Sequence, residues 1–132
     1  MSVFKTLEEA QAHFKGDAFA TGNGMVIDAL YEDGCACSMT LDDRHKNANG
    51  GVMGGVIFTL GDFAFAVACN NDHLPTVALN VNINYMSAPK GHRLTARARV
   101  VKSGRTTCVI NVMITDDTGR DVAQFVGTGY KL

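Results

Sequence analysis

Residues 52–69 read VMGGVIFTLGDFAFAVAC, an almost wholly apolar run. Its length approaches that of a membrane-spanning helix, but three internal glycines and Asp62 argue against a span. A helix that is apolar on every face otherwise forms the core of a globular protein. We therefore predict a long central helix from about Gly54 to Asn71, around which the rest of the chain must pack.

The chain after this helix changes to a period of two. Apolar residues alternate with Ala and Asn from Val77 to Tyr85, which is typical of a strand with one apolar and one polar face. Three further strands are predicted at 93–102, 106–116 and 121–131, separated by the turn signals SGR and DDTG.

The chain before the central helix supplies a short helix and a hairpin. The capping box TLEE and apolar residues on one helical face predict a first helix at 6–15. Strands at 24–31 and 34–42 meet at the turn signal EDG. This order of elements indicates a single α+β domain over residues 1–132. An antiparallel sheet of about six strands wrapped around the central helix covers every apolar face, and this arrangement is the hotdog fold.

The composition excludes several classes of function. The formal net charge is −1, so the chain as a whole does not attract nucleic acid. No Cys-x-x-Cys pair or histidine ligand spacing occurs, so no metal site is predicted. The N-terminal sequence lacks the apolar core of a secretory signal, and no membrane partner is predicted. Unpaired cysteines are typical of a reducing compartment, and we expect the protein in the cytoplasm.

Glycine is concentrated immediately before the central helix, in the segment NANGGVMGG at 47–55. Such glycines let the backbone approach a ligand closely. The start of a helix also offers unpaired N–H groups and a partial positive charge, which bind an anion or stabilise a developing oxyanion. A tight turn followed by close helix packing is the alternative explanation of the same glycines.

Asp62 is the only charged residue between Gly50 and Asn71. A lone carboxylate on the most buried helix of a domain is costly unless it is paired or lines a cavity. Buried carboxylates with perturbed pKa values also cluster at active sites. The spacing alone leaves two interpretations open: a catalytic carboxylate, or one that a partner satisfies across an interface.

Together these residues resemble the motif of the PaaI-like hotdog thioesterases, the phenylacetate-degradation type. That motif has Asn, Gly and His-Gly-Gly at three-residue spacing, followed by Leu-x-Asp, and this chain matches it at Asn47, Gly50, Gly54, Gly55, Leu60 and Asp62. The resemblance continues through TVALNVNINYMSAPKG at 76–91. Met53 stands where the family usually has His, and Ala78 stands where many members carry an acidic or hydroxyl side chain.

The resemblance implies an acyl-CoA thioesterase that releases a free acid and coenzyme A, with no cofactor besides the coenzyme A of the substrate. It implies that the Gly54 N–H polarises the thioester carbonyl and that Asn47 shapes this site or orients water. It implies that Asp62 attacks the carbonyl as a nucleophile or activates water as a general base. Substrate contacts are expected from Met53, Gly55, Ala78 and Asn80.

Lys102 and Arg105 lie in a basic part of the chain that begins at Lys90. We interpret these two residues as contacts for the phosphates of coenzyme A, or alternatively as ordinary residues of a solvated turn. Arg97 and Arg99 are interpreted as solvated strand residues.

The spacing of Gly54 and Asp62 predicts a site shared between two chains. Their separation along one helix is about 12 Å, whereas a thioester carbon must lie about 3 Å from both the N–H donors and the attacking group. A second chain related by a two-fold axis brings its Asp62 opposite the first Gly54. A homodimer is therefore predicted, with strand 76–87 as a pairing edge. We separately expect this dimer to assemble into a dimer of dimers.

Two other functions remain as alternatives. A hotdog hydratase needs a His paired with an acidic residue, and the absence of His between positions 46 and 72 argues against it. A non-catalytic acyl-CoA-binding domain is favoured by Met53 and Ala78. It is opposed by Asp62, which is costly to bury without use.

Overall fold

The computed structural model describes residues 2–132, and within that range three α-helices and six β-strands form the fold. The helices are α1 (Leu7–Phe14), α2 (Ala18–Gly22) and α3 (Gly54–Asp72). The strands are β1 (Val26–Tyr31), β2 (Gly34–Thr40), β3 (Thr76–Tyr85), β4 (Arg93–Ser103), β5 (Thr107–Asp116) and β6 (Asp121–Lys131). Every predicted element is confirmed, and α2 is an addition that the sequence patterns did not predict.

The strands form one antiparallel sheet in the order β1-β2-β4-β5-β6-β3. Hairpins join β1 to β2, β4 to β5 and β5 to β6, while β3 pairs with β6 and lies at the edge opposite β1. Helix α3 packs against β2, β3, β4, β5 and β6. A sheet that wraps around one central helix in this way is the predicted hotdog fold.

The core lies between α3 and the sheet. Leu60 and Phe65 of α3 are buried against inward-facing strand residues, and the rings of Phe65 and Phe125 lie 6.0 Å apart. Each such side chain contributes roughly 1.5–3 kcal/mol through burial. Cys35 and Cys37 of β2 are both buried, as their spacing on one face of a strand predicts.

Two glycines let α3 lie close to the sheet. A Cβ atom on Gly61 would stand 2.8 Å from Cδ2 of Phe125, and a Cβ on Gly127 of β6 would stand 2.6 Å from the ring of Phe65. The aromatic rings therefore occupy the space that larger side chains would need, and these glycines fix the depth of α3.

Gly61→Ala is expected to destabilise the protein by up to about 2 kcal/mol. Alanine favours a helix by about 1 kcal/mol over glycine, but Phe125 is 0% exposed, and forcing extra volume into a packed core costs about 1–3 kcal/mol. Urea unfolding measures the change. Gly22→Ala in α2, where nothing lies within 4 Å of the added carbon, is the matched control. Equal effects of the two changes would contradict the close-packing explanation.

Strand β3 departs from the predicted regular alternation. A bulge at Leu79 interrupts its pairing with β6, so the side chains before and after the bulge change faces. Val77 and Leu79 are 46% and 62% exposed, whereas Val81 packs against the core. The predicted alternation placed Val77 and Leu79 on the apolar face with Val81, and this is wrong for both residues. The extra residue in the bulge turns the side chains before it to the other face of the strand.

The edge position predicted for the strand at 76–87 is confirmed. The sequence of β3, TVALNVNINY, contains no charged residue over its length. Folded proteins normally keep a long edge strand from pairing with other chains by placing charged side chains along it, and β3 carries none. The outer edge of β3 is thus suited to pairing with another strand.

Helix α2 is a short element that packs beside the first half of α3. Asp17 is its N-cap, and the side-chain oxygen of Asp17 accepts the N–H of Ala20 at 3.4 Å. Five residues are too few to display a helical period, which is why the sequence pattern missed α2. Phe19 on this helix is 70% exposed.

Among residues 2–132 the structure contains no helix with the length and apolar character needed to cross a lipid bilayer. In the same range no group of three His, Cys, Asp or Glu side chains is arranged to hold a metal ion.

Candidate active site

Asn47 shapes the loop that leads into α3. Its side-chain oxygen accepts the N–H groups of Asn49 at 2.9 Å and Gly51 at 3.1 Å, and its backbone N–H donates to the carbonyl of Gly51. Gly50 has a φ of +82°, a conformation that favours glycine. The oxygen of Asn47 is thus used in folding, while its exposed amide nitrogen has no partner among the described residues and keeps two free donors.

The start of α3 exposes two unpaired N–H groups. Met53 is the N-cap, makes no side-chain cap, and donates its own N–H to the carbonyl of His45 at 2.9 Å. Gly54 and Gly55 follow as the first two helical residues, and their N–H groups find no acceptor within residues 2–132. These donors and the positive end of the helix dipole form a site for a carbonyl oxygen that gains negative charge.

Two side chains that sequence reasoning missed support this helix start. Tyr85, the last residue of β3, donates its hydroxyl hydrogen to the carbonyl of Gly54 at 3.0 Å. Its ring stands 3.4 Å from where a Cβ of Gly54 would lie, so a Cβ at position 54 would make an ordinary van der Waals contact with Tyr85. His45 is 1% exposed, and its Nδ1 accepts the N–H of Asp42 at 3.0 Å. No local pattern relates Tyr85 to Gly54, because they are far apart in the chain.

Asp62 lies half-buried on α3 without a partner. In the part of the chain that the structure describes, its carboxylate accepts no hydrogen bond and meets no cation. Burial, and secondarily the negative charge of Asp17, raise the pKa of Asp62 above its ordinary value. A carboxylate of raised pKa is a stronger base when ionised, as general-base chemistry requires.

The substrate-side residues predicted on β3 lie away from the start of α3. Tyr85 contacts Gly54, but Ala78 precedes Tyr85 by about 23 Å of extended strand, and Asn80 is only slightly nearer. The N–H of Thr76, at the beginning of β3, donates to the side chain of Asn70 in the last turns of α3. Ala78 and Asn80 therefore belong to the far half of the helix.

Lys102 and Arg105 lie still further from Gly54 within one chain. Lys102 is the second-last residue of β4 and Arg105 lies in the turn that follows. Between them, Ser103 donates its hydroxyl hydrogen to Asp72 at the C-terminal end of α3. The 19 residues of α3 span about 27 Å. Arg97 and Arg99 instead face Asp33, at 2.8 and 3.8 Å, as expected for solvated strand residues.

One chain therefore divides the predicted site into two groups. The first is at the start of α3 and comprises Asn47, Met53, Gly54 and Gly55. The second is toward the other end of α3 and comprises Ala78, Asn80, Lys102 and Arg105. Asp62 lies between them, about 12 Å from Gly54 along the helix. The first group can bind a carbonyl oxygen but has no base, and Asp62 is a base without a bound carbonyl.

Met53→His is expected to leave the fold unchanged. Met53 is 54% exposed, and its side chain caps nothing, so the change in the free energy of unfolding should stay within about 0.5 kcal/mol. Thermal unfolding of the two proteins measures this difference. Leu60→His, at a fully buried position of the same helix, is the matched control and should unfold the protein. A severe loss of stability in Met53→His would mean that Met53 is part of the core.

Comparison with known proteins assigns the chain to a family. A family profile described as thioesterase superfamily matches residues 49–123. The chain is 32% identical over 129 residues to acyl-coenzyme A thioesterase PaaI of Escherichia coli, covering 97% of this chain and 92% of that protein. It is 36% identical over 92 residues to acyl-coenzyme A thioesterase 13 of Homo sapiens, covering 67% of this chain and 66% of that protein.

Solved structures agree with the sequence relatives. The E. coli PaaI protein, from the phenylacetic acid degradation operon, superposes with a TM-score of 0.88 at 31% identity, covering 93% of this chain and 90% of that one. A hypothetical thioesterase of Streptococcus pneumoniae, solved with coenzyme A, superposes with a TM-score of 0.83 at 30% identity, covering 91% and 94%. Sequence and fold together establish that the chain belongs to the thioesterase superfamily, as a PaaI-like hotdog enzyme that hydrolyses thioester bonds.

Proposed function

We propose that this protein is an acyl-CoA thioesterase with Asp62 as its catalytic carboxylate. The observation that carries the proposal is the pairing of two unsatisfied features on α3. The N–H groups of Gly54 and Gly55 have no acceptor among the described residues. The half-buried Asp62 has neither a hydrogen-bond donor nor a cation beside it in the same range. Relatives named acyl-coenzyme A thioesterases support acyl-CoA as the substrate class.

The proposed reaction uses both features on one thioester. The carbonyl oxygen accepts the N–H of Gly54, which stabilises the negative charge that develops there. Asp62 removes a proton from water as the water oxygen bonds to the carbonyl carbon, or its own oxygen forms that bond and water then cleaves the resulting anhydride. In both cases the carbon–sulfur bond breaks, coenzyme A leaves as the thiol, and the acyl group leaves as a carboxylate.

The site is proposed to form between two copies of the chain. The face of α3 that the sheet leaves uncovered carries small residues, Gly55, Thr59 and Ala66, together with Asp62. A second α3 can therefore approach closely and run antiparallel to the first, with each Asp62 opposite the other chain's Gly54. The uncharged edge of β3 supports the same assembly by extending the sheet into the second copy.

The same two-fold axis explains why Lys102 and Arg105 are remote from Gly54 in their own chain. If the Asp62 of each chain lies opposite the Gly54 of the other, the two-fold axis passes near position 58 of both helices. The C-terminal end of the second copy's α3 then extends about 15 Å past the N-terminal end of the first copy's α3. The segment that carries Lys102 and Arg105 adjoins that C-terminal end. A coenzyme A bound at one chain's Gly54 is therefore proposed to reach the phosphate-binding turn of the other chain.

Hydrolysis of a panel of acyl-CoA thioesters, followed by release of free thiol, tests the proposed function. Turnover that saturates with acyl-CoA and depends on Asp62 would support it. Hydration of an enoyl-CoA would favour the hydratase, and tight acyl-CoA binding with no thiol release would favour a binding domain.

Arg105→Ala is expected to raise KM for acyl-CoA by about three- to tenfold through loss of one phosphate contact. The KM for a truncated thioester that lacks the nucleotide should stay the same. Arg120→Ala, which removes an arginine from a different turn, is the matched control. Equal changes in KM for both substrates would show that Arg105 does not contact the phosphates of coenzyme A and is an ordinary surface residue.

The cytoplasmic location and the dimer of dimers stay predictions. The cysteines Cys35, Cys37, Cys69 and Cys108 are all buried and unpaired, which supports a reducing compartment.

A further inference from the structure

Two cavities flank the start of α3. The α2–α3 cavity, of about 240 Å³, lies between these two helices and is lined by Phe19, Asn23, Met25, Met53, Gly55, Val56 and Thr59. The β3 cavity, of about 380 Å³, lies on the other side of the helix start and includes Asn47, Gly54, Tyr85 and residues 86–89. A thioester held at Gly54 has two arms, the acyl group and the thiol side, and one cavity is available for each.

The α2–α3 cavity is suited to an apolar ligand. None of its lining residues is charged, and Met25 is 2% exposed. The hydroxyl of Thr59 donates to the carbonyl of Gly55 at 2.7 Å, and the amide of Asn23 donates to the carbonyl of Phe19 at 2.9 Å. Because these polar donors already have partners, a hydrocarbon that enters the cavity leaves none of them unsatisfied.

The β3 cavity is also free of charged side chains, but unlike the α2–α3 cavity it includes a side-chain amide without a partner among the residues that the structure describes. The amide nitrogen of Asn47 lacks a partner in the described chain, and Tyr85 is 54% exposed with its hydroxyl at the cavity. These groups suit an arm that itself carries amide donors and acceptors, as the thiol side of coenzyme A does.

We propose that the α2–α3 cavity binds the acyl chain of the substrate, and that Phe19, Met53 and Val56 determine the chain length accepted. This inference rests on the proposed thioesterase function and on its dimer, in which the second copy's α3 lies along Gly55 and Thr59, so that the cavity borders the interface. Gly55, whose N–H has no acceptor among the described residues, lines the cavity, so an acyl chain there can be continuous with a carbonyl bound at the helix start. A cavity of about 240 Å³ with no charged lining residue suits a hydrocarbon chain of limited length. The substrate class is then medium-length acyl-CoA.

The first test compares kcat/KM for acyl-CoA substrates from acetyl to dodecanoyl. In the native protein kcat/KM should rise up to about fourfold per methylene, to a maximum between acetyl and dodecanoyl. Val56→Phe fills the cavity and should lower the ratio of kcat/KM for octanoyl-CoA over acetyl-CoA at least tenfold. Phe19→Ala opens the cavity at an exposed position and should move the maximum to longer chains. Val101→Ala, an exposed truncation on β4, is the control and should leave the profile unchanged.

The second test separates this inference from the proposed function by measuring binding of non-hydrolysable thioethers. S-octyl-coenzyme A should bind more tightly than S-ethyl-coenzyme A, and Val56→Phe should remove that difference. If this binding result is obtained but the protein hydrolyses no thioester, the acyl site in the α2–α3 cavity is supported and the proposed thioesterase activity is contradicted. If neither Val56→Phe nor Phe19→Ala changes the dependence of binding or kcat/KM on chain length, the acyl chain binds elsewhere and the inference is overturned.

Discussion

Asp62→Asn is expected to lower kcat for acyl-CoA hydrolysis by about a thousandfold, the middle of the range for loss of a positioned base. Asparagine keeps the shape of the side chain but cannot accept a proton or attack a carbonyl at a useful rate. Steady-state kinetics with a hydrolysed acyl-CoA measures the change. Asp17→Asn is the matched control, because it removes the neighbouring carboxylate while asparagine still caps α2. Near-native kcat in Asp62→Asn would exclude Asp62 from the mechanism.

The same substitution is expected to stabilise the fold at neutral pH. The folded-state pKa of Asp62 is raised, so folding disfavours the charged form. This carboxyl therefore destabilises the native state increasingly as the pH rises above the ordinary pKa of aspartate, and fully once the pH exceeds the raised pKa. Below the ordinary pKa of an aspartate the group is protonated in both states, and the difference from asparagine should vanish. Thermal unfolding at acid and neutral pH measures this. A variant that is less stable than the native protein at neutral pH would indicate a favourable partner for Asp62.

Mixing two inactive variants is expected to restore about a quarter of the native activity. One variant is Asp62→Asn and the other is Gly54→Pro, which removes the oxyanion N–H. Proline is favoured at the first position of a helix, and Met53 already has the extended conformation that proline requires of the residue before it. In an equal mixture about half of the dimers are mixed, and each has one site with both groups intact.

The two variants are mixed unfolded and refolded together so that their chains can exchange. The control is each variant unfolded and refolded alone. The alternative geometry, in which each Asp62 serves its own Gly54, gives a different outcome. Every chain would then carry one defect, and the mixture would remain as inactive as its components.

The sequence predicted the architecture well because its periods are long and strong. The apolar run of α3 and the alternation of β4, β5 and β6 each extend over ten or more residues, so their types are determined locally. Helix α2 is too short to show a period, and the bulge at Leu79 is invisible in an alternation that continues on both sides of it.

The candidate site was only partly predictable for a related reason. Gly54, Asp62 and Asn47 carry local signals: glycines before a helix, and a charge in an apolar run. Tyr85 reaches Gly54 only through the pairing of β3 with β6, and neither cavity beside the helix start corresponds to a contiguous motif. The division of the site between the two ends of α3 also required the geometry of the sheet.

The bulge at Leu79 has a consequence for how the enzyme tolerates change. If two copies pair through β3, their alignment can shift only in steps of two residues, about 7 Å, because a one-residue step reverses every side chain. Such a step exceeds the distance over which Asp62 and a bound carbonyl can react. The bulge makes one position of β3 different in shape from the rest of the strand. A slipped alignment of two β3 strands would therefore fit less well than the correct one. A substitution at Leu79 that removed the bulge would then lower activity by misaligning the two copies, although Leu79 is far from the start of α3.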